Sequence, residues 1–198
     1  LVISDAHFGR NAEILDLDGK IINKYSPEEF KARMWRLLEQ LEEDRKFSMY
    51  SCLRILDCGD SIEGILRNGS SLLNLKTGNI DSAIEYANFM SSWICACSYR
   101  LGVEIEYSLI GGNHDILRLL DSKPQFENEN MAKVIIEIIQ QRIECERLRH
   151  LADGKILNIK VRPYFAVYYD NFYGMKIMSY HGESKDMKND ITFFENLY

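Results

Sequence analysis

An α/β fold with a largely parallel sheet is predicted by three observations. Short apolar runs alternate with long amphipathic segments from Val2 to Ile110. Helix-start signals precede the long segments, and the apolar runs end in loops rich in Gly, Asp, Asn and His. A strand–helix–strand–helix–strand order requires crossover connections and hence parallel pairing.

Val2-Ile3 ends the first strand, with Asp5 and His7 in the loop beyond it. Residues 11–25 are mixed and Gly-interrupted and read as an irregular surface loop. Ser26-Pro27-Glu28-Glu29 opens a helix: Ser as N-cap, Pro in the first turn, Glu three residues after the cap. That helix is expected to run to about residue 46, with Phe30, Met34, Leu37, Leu38 and Leu41 as its apolar stripe. Residues 53–58 form the next strand and deliver Gly59-Asp60, after which residues 62–79 read as a polar loop.

Ser82 with Glu85 reads as a second capping box, opening a helix from about 83 to 100 that Gly102 closes. The strand 103–110 then delivers Gly111-Gly112-Asn113-His114-Asp115. Residues 122–130 form a polar loop with one Pro, and 131–150 a long amphipathic helix ending in Arg142, Arg147, Arg149 and His150. Cations there suit the helix dipole as well as they would suit a phosphate. After Gly154 the period changes to two: 155–162, 164–169 and 175–180 are expected strands, with 170–174 as a hairpin turn and His181 at the end of the last. The tail, 184–198, is polar and then aromatic and is expected to hold one short helix.

With 198 residues and 46% hydrophobic composition, residues 1–198 suit one domain. No run approaches the roughly 18 apolar residues of a membrane span, so a cytoplasmic protein without a membrane partner is expected. The five cysteines are scattered and odd in number, and Cys95 and Cys97 point to different helix faces, so reduced core thiols are expected rather than a zinc site or a disulfide. A net charge of −6 and a pI near 5.3 argue against a cationic nucleic-acid scaffold but not against a nuclease, whose bound cations would reverse the local field.

The chemistry lies in the strand-end motifs Asp5-Ala6-His7, Gly59-Asp60, Gly112-Asn113-His114-Asp115 and Tyr180-His181-Gly182. In an α/β sheet the carboxyl ends of the strands share one edge, so the four can converge. Asp5 and His7 can face one divalent ion, and Asp60, freed by its neighbouring Gly, has two oxygens with which to bridge a pair of ions. Asn113 offers a carbonyl oxygen and His181 an imidazole. His114, beside a ligand but pointing differently, suits a proton or hydrogen-bond donor. Asp-x-His and Gly-Asp are each common by chance; their order together with Gly-Asn-His-Asp is what gives the set weight. Asp115 is expected to cap the turn at 116–118, and His150 to be solvated. Tyr164, Tyr168, Tyr169, Tyr173 and Tyr180 are expected to pack rather than to stack on bases.

The order of motifs resembles the calcineurin-like metallophosphoesterase superfamily, whose pattern is D-x-H, GD, GNH-D/E, an isolated H, and G-H-x-H. The resemblance runs from Asp5 to His181 and implies a four-layer α/β/β/α sandwich. It implies two divalent metal ions, manganese foremost, with iron, zinc or magnesium as alternatives. Asp5 and His7 would then hold the first ion, Asp60 would bridge both, and Asn113 and His181 would hold the second. His114 would be the transition-state donor. The implied activity is phosphoester hydrolysis by a metal-bridging hydroxide.

The last motif is missing, since no histidine follows His181. Together with a start at Leu1, four residues before Asp5, this leads to the expectation of a chain incomplete at both ends. Gly59 to Gly64 reads GDSIEG, and the third motif ends in Asp rather than Glu, which argues against a protein phosphatase. Asp5-Ala6-His7-Phe8-Gly9 looks like the D-x-H-x-G of the DNA-repair exonuclease branch, so a phosphodiesterase or nuclease acting on nucleic acid or nucleotides is expected. The alternatives are a small-molecule phosphodiesterase or phosphatase, and an inactive binding module on the same scaffold.

Overall fold

The computed structural model describes residues 1–64, 75–117, 129–154, 156–163, 167–172 and 174–181. In chain order its elements are β1 (Val2–Ile3), β2 (Ala12–Leu15), β3 (Ile21–Tyr25), α1 (Pro27–Arg45), β4 (Cys52–Asp57), α2 (Asn79–Leu101), β5 (Glu104–Leu109), α3 (Met131–Ala152), β6 (Ile159–Pro163), β7 (Val167–Phe172) and β8 (Met175–Tyr180). β1, β4, β5 and β6 form one sheet in that order, every pair parallel. The α/β class and the parallel sheet agree with the sequence. Because the strands advance in one direction and crossovers are right-handed, the helices fall on one face. There α1 packs on α2 and α2 on α3.

That face holds the core. Leu53, Ile55, Ile105, Tyr107, Leu109 and Ile159 of the sheet meet Met34, Leu38, Tyr86, Met90, Trp93, Ile94, Ile135 and Ile139 of the helices. The indole N–H of Trp93 donates to Met34 O at 2.8 Å and ties α2 to α1. The opposite face is charged. Arg54 pairs with Glu106 at 2.7 Å, Arg162 reaches Glu106 at 3.1 Å, and Lys160 pairs with Glu104. The antiparallel β7–β8 hairpin is tied to this face: Arg54 pairs with Asp170, which also accepts from Tyr168 Oη at 2.9 Å.

Several expectations are corrected. Residues 11–25 are not irregular: β2 and β3 form a hairpin whose turn is built by Asp16, its carboxylate accepting from Asp18 N and Lys20 N, with Gly19 at φ 79°. The Asp18-Gly19 pair is the turn signal that announces it. Ser82 caps no helix. α2 begins at Asn79 behind Gly78, and Ser82 is buried within it, its hydroxyl 2.7 Å from that of Thr77. Glu85 pairs with Lys31 instead. The helix expected from 131 is capped by Asn130, whose side chain accepts from Ala132 N.

β6 begins at Ile159 rather than 155, and β7 runs on through the expected turn, Phe172 pairing with Met175. At the basic end of α3, Arg147 pairs with Glu144 and Arg149 with Glu146. His150 is half-buried, its ring centroid 6.2 Å from that of Tyr99. The cysteines are all free: Cys97 lies in the core, Cys95 packs against it, Cys52 and Cys58 are half-buried and Cys145 is exposed. Tyr168 is buried as expected while Tyr169 is about half exposed; Tyr164, Tyr173 and the tail lie outside the described residues. No helix among the described residues is long and apolar enough to cross a membrane.

Candidate metal centre

Backbone bonds join the loops that follow β1 and β4. Asp5 N donates to Gly59 O (3.1 Å), His7 N to Asp60 O (2.8 Å) and Phe8 N to Ser61 O (3.0 Å), and Glu63 N returns to Phe8 O (3.1 Å). The pairing carries the β1–β4 ladder past the strand ends with a bent backbone. Asp5 (φ 53°), His7 (φ 40°) and Asp60 (φ 53°) are the non-glycine residues in the left-handed region among those described. Each such residue costs on the order of 1–3 kcal/mol, and such strain collects at functional sites. Here it falls on three of the residues singled out as ligands.

β5 brings the third loop against the second. A Cβ on Gly112 would lie 2.0 Å from Asp60 N and 2.2 Å from Asp60 Oδ1, so only glycine permits the approach. His114 N donates to Asp60 Oδ1 at 2.8 Å. Asp115 does not cap the following turn. It is fully buried, and its carboxylate turns back to accept from Gly112 N (2.8 Å) and Ile62 N (3.2 Å). It therefore staples the second loop to the third.

β8 delivers His181 from the other sheet. Its Nδ1 bonds Cys58 O at 2.9 Å, which leaves Nε2 3.3 Å from Asp60 Oδ2. A carbonyl only accepts, so Nδ1 carries a proton and Nε2 is the ring atom turned toward Asp60. His7 Nε2 stands 3.7 Å from both Asp5 Oδ1 and Asp60 Oδ2, while its Nδ1 is 3.0 Å from Glu63 Oε2. The His114 ring stands edge-on to that of His7, centroids 4.6 Å apart, with its Nδ1 on Glu63 O.

Asp5, His7, Asp60, His114 and His181 thus come together, Asp60 at the centre. Asp5, His7 and Asp60 each offer a ligand atom within 4.8 Å of one another, as do His7, Glu63 and His114. Asn113 joins them through Gly112 and His114, which flank it and both touch Asp60. Its Oδ1 is buried without a hydrogen-bond partner. A buried carbonyl oxygen with no donor is costly and is the kind of acceptor a cation satisfies. The donor set of carboxylates, imidazoles and one amide oxygen suits a divalent transition metal.

The electrostatics run the same way. The His181 imidazole is raised to about 9, first by its bond to Asp60. His7 is pushed down by burial but ends above its ordinary value through Glu63, Asp60 and Asp5. Burial pushes Asp60 and Glu63 up, yet both end lowered, Asp60 through His181 and the His114 N–H, Glu63 through His7. Carboxylates held ionised around imidazoles hold protons where a divalent cation would compete for the same lone pairs.

Two buried acids were not singled out from the sequence. Glu63 lies three positions past Asp60 and before Gly64 (φ 69°), where a Cβ would strike His114 O at 2.3 Å. An acid between a buried isoleucine and a left-handed glycine was the available signal. Asp57 sits beneath the site, its carboxylate accepting from Tyr86 Oη (2.6 Å) and Tyr107 Oη (2.8 Å).

No family model matches this chain. It is 26% identical over 196 residues to the SPbeta prophage-derived uncharacterized protein YonJ of Bacillus subtilis (strain 168), an alignment covering 96% of this chain and 44% of that protein. The chain therefore spans less than half the length of this relative.

Proposed function

We propose that this chain carries a two-metal phosphoesterase centre of the calcineurin-like type. Asp5, His7 and Asp60 would hold one divalent cation, and Asp60, Asn113 and His181 the other, with manganese foremost. The observation that carries the reading is the shared carboxylate: Asp60 Oδ2 faces the Nε2 atoms of both His7 (3.7 Å) and His181 (3.3 Å). The orphaned Asn113 oxygen supports the second position. A parallel sheet with helices on one face and a β-hairpin on the other supports three layers of an α/β/β/α sandwich; the described residues hold no second helical layer.

Bound there, two divalent cations would supply charge neutralisation at a phosphoryl group and an activated water. The chain's own residues do the rest. His114 has Nδ1 engaged on a carbonyl, so it can pass a proton from Nε2 only as the imidazolium. That suits stabilisation of a departing alkoxide. Gly112 lets this histidine approach the bridging carboxylate, and Asp115 fixes the loop that carries it.

The substrate we favour is a phosphodiester of a nucleic acid or nucleotide. A small phosphodiester is the second reading. The pairing of Arg147 with Glu144 and Arg149 with Glu146 favours it, because it leaves less basic surface for a long polyanion. The test is Mn²⁺ uptake together with hydrolysis of a bis-aryl phosphate, an aryl monophosphate and single-stranded DNA. Manganese-dependent diester cleavage, lost with the metal in Asp60→Asn, is expected. Wild-type activity in that variant would overturn the shared-carboxylate model, and metal uptake without hydrolysis of any substrate would support the binding-module alternative.

A further inference from the structure

Glu63 serves two histidines at once. Its carboxylate is 97% buried, with Oε2 3.0 Å from His7 Nδ1 and 3.8 Å from Arg10 Nη1, and its carbonyl oxygen takes His114 Nδ1. His181 has its Nδ1 on another carbonyl, that of Cys58. All three imidazoles at the site therefore meet an oxygen on the Nδ1 side. For His114 and His181 it is a hydrogen-bonded carbonyl. For His7 it is a buried carboxylate oxygen at ion-pair distance, outside hydrogen-bond geometry, on a side chain that a substitution can remove. His7 is also backbone-strained, at φ 40°, so its ring cannot rely on a relaxed main chain for its orientation.

We propose that Glu63 is a positioning residue that fixes His7 in the Nδ1–H tautomer and so presents Nε2 to the face shared with Asp5 and Asp60. This rests on reading His7 as a cation ligand. A neutral imidazole has one proton to place. With a carboxylate 3.0 Å from Nδ1 the proton belongs there, and Nε2 keeps its lone pair. Without that acceptor the proton can move to Nε2, where it would block the ligand position. Arg10 Nη1 approaches the same oxygen at 3.8 Å, so a cation from outside the ligand set also faces the carboxylate that supports His7.

The experiment compares wild type with Glu63→Gln, which keeps an acceptor oxygen, and Glu63→Met, which keeps length without one. Glu63→Ala serves as a second deletion should the thioether not be accommodated. Ring ¹⁵N shifts are read from long-range ¹H–¹⁵N spectra without added metal at alkaline pH, with His7 assigned by its disappearance in His7→Gln. Mn²⁺ affinity is measured by calorimetry on the same proteins. The expected result is an Nδ1–H signature for His7 in wild type and Glu63→Gln, lost in the deletions. Mn²⁺ binding should weaken ~10–100-fold in the deletions alone. An unchanged His7 signature in the deletion variants would overturn the proposal. So would a Gln variant that keeps the tautomer yet loses Mn²⁺ as badly as the deletions, since Glu63 would then be a ligand itself through the His7–Glu63–His114 group. If wild type takes up no Mn²⁺, the two-metal reading fails, and the tautomer comparison alone still decides the role of Glu63.

Discussion

His181 and Asp60 meet across two sheets. The imidazole follows the last strand of the β7–β8 hairpin, the carboxylate follows β4 of the parallel sheet, and Nε2 and Oδ2 come within 3.3 Å. One residue of this pair has no meaning without the other: Asp60 gains its second imidazole only if the hairpin is held on the charged face of the sheet. Arg54, Asp170 and the contact between Cys58 Sγ and Ser179 Oγ (3.1 Å) hold it there. The site is therefore assembled by tertiary structure rather than by any single loop.

His114 is the residue whose role separates chemistry from binding. Its main-chain N–H already serves Asp60, and that bond survives any side-chain change. His114→Ala should thus leave Mn²⁺ stoichiometry intact while turnover on a bis-aryl phosphate falls by ~10²–10⁴-fold, the usual worth of a general acid. Metal analysis beside steady-state kinetics checks this, and loss of metal would make His114 a ligand.

Asp5 offers a test of strain against function. Its backbone is left-handed at φ 53° and its side chain is mostly exposed, so little packing is lost on truncation. Asp5→Gly should raise the unfolding free energy measured without added metal by about 1 kcal/mol while weakening Mn²⁺ binding. Urea titration with and without Mn²⁺ resolves both effects, and a variant that is less stable in chelator would show that the turn is not strained.

How much of this was legible in the sequence follows from how local each signal is. The parallel strands and the start of α1 were legible because apolar runs and a Ser-Pro-Glu-Glu cap are local statements. The meeting of Asp5, His7, Asp60 and His114 was anticipated from the shared edge of one parallel sheet, whereas His181 was expected on that edge and arrives instead from the antiparallel β7–β8 hairpin. Ser82 misled, because a Ser-x-x-Glu spacing inside a helix looks like one at its start; burial against Thr77 decided otherwise. Asp115 and Glu63 were missed in role because both act through burial. Their partners, Ile62 N and His7 Nδ1, come from a loop 53 and 56 positions away in sequence, beyond what spacing reports.

Gly112 should tolerate no side chain. Its missing Cβ is the space in which Asp60 sits, at 2.0–2.2 Å, and the obstacle is backbone as well as carboxylate. Gly112→Ala should cost about 1–3 kcal/mol or more from overpacking and should displace the Asp60 carboxylate, so metal uptake is expected to fall too. Gly102 is the control. It is left-handed at φ 64° with nothing within 4 Å of the added atom, so alanine there should cost about 1–2 kcal/mol from conformation alone and leave metal binding unchanged. Equal metal loss in both variants would mean that general destabilisation, not the Asp60 contact, is responsible.

Asp57 predicts how stability follows pH. Burial is the largest influence on it and raises its carboxyl from 3.8 to about 7, against the opposing pull of the Tyr86 and Tyr107 hydroxyls. Between those two values the folded chain binds this proton more tightly than the unfolded chain does. Its contribution is therefore fully present below the lower value and is lost as pH rises through about 7. Asp57→Asn removes the titration yet keeps an oxygen for the two hydroxyls. Its extra amide N–H adds a cost that does not vary with pH, so the slope and not the offset is diagnostic. The unfolding free energy of Asp57→Asn relative to wild type should rise between pH 5 and pH 8 by on the order of 2–3 kcal/mol. Denaturant titrations at both pH values check this, and a difference that stays constant or falls would mean that Asp57 is ionised in the folded chain and balanced by a charge its two tyrosine partners do not supply.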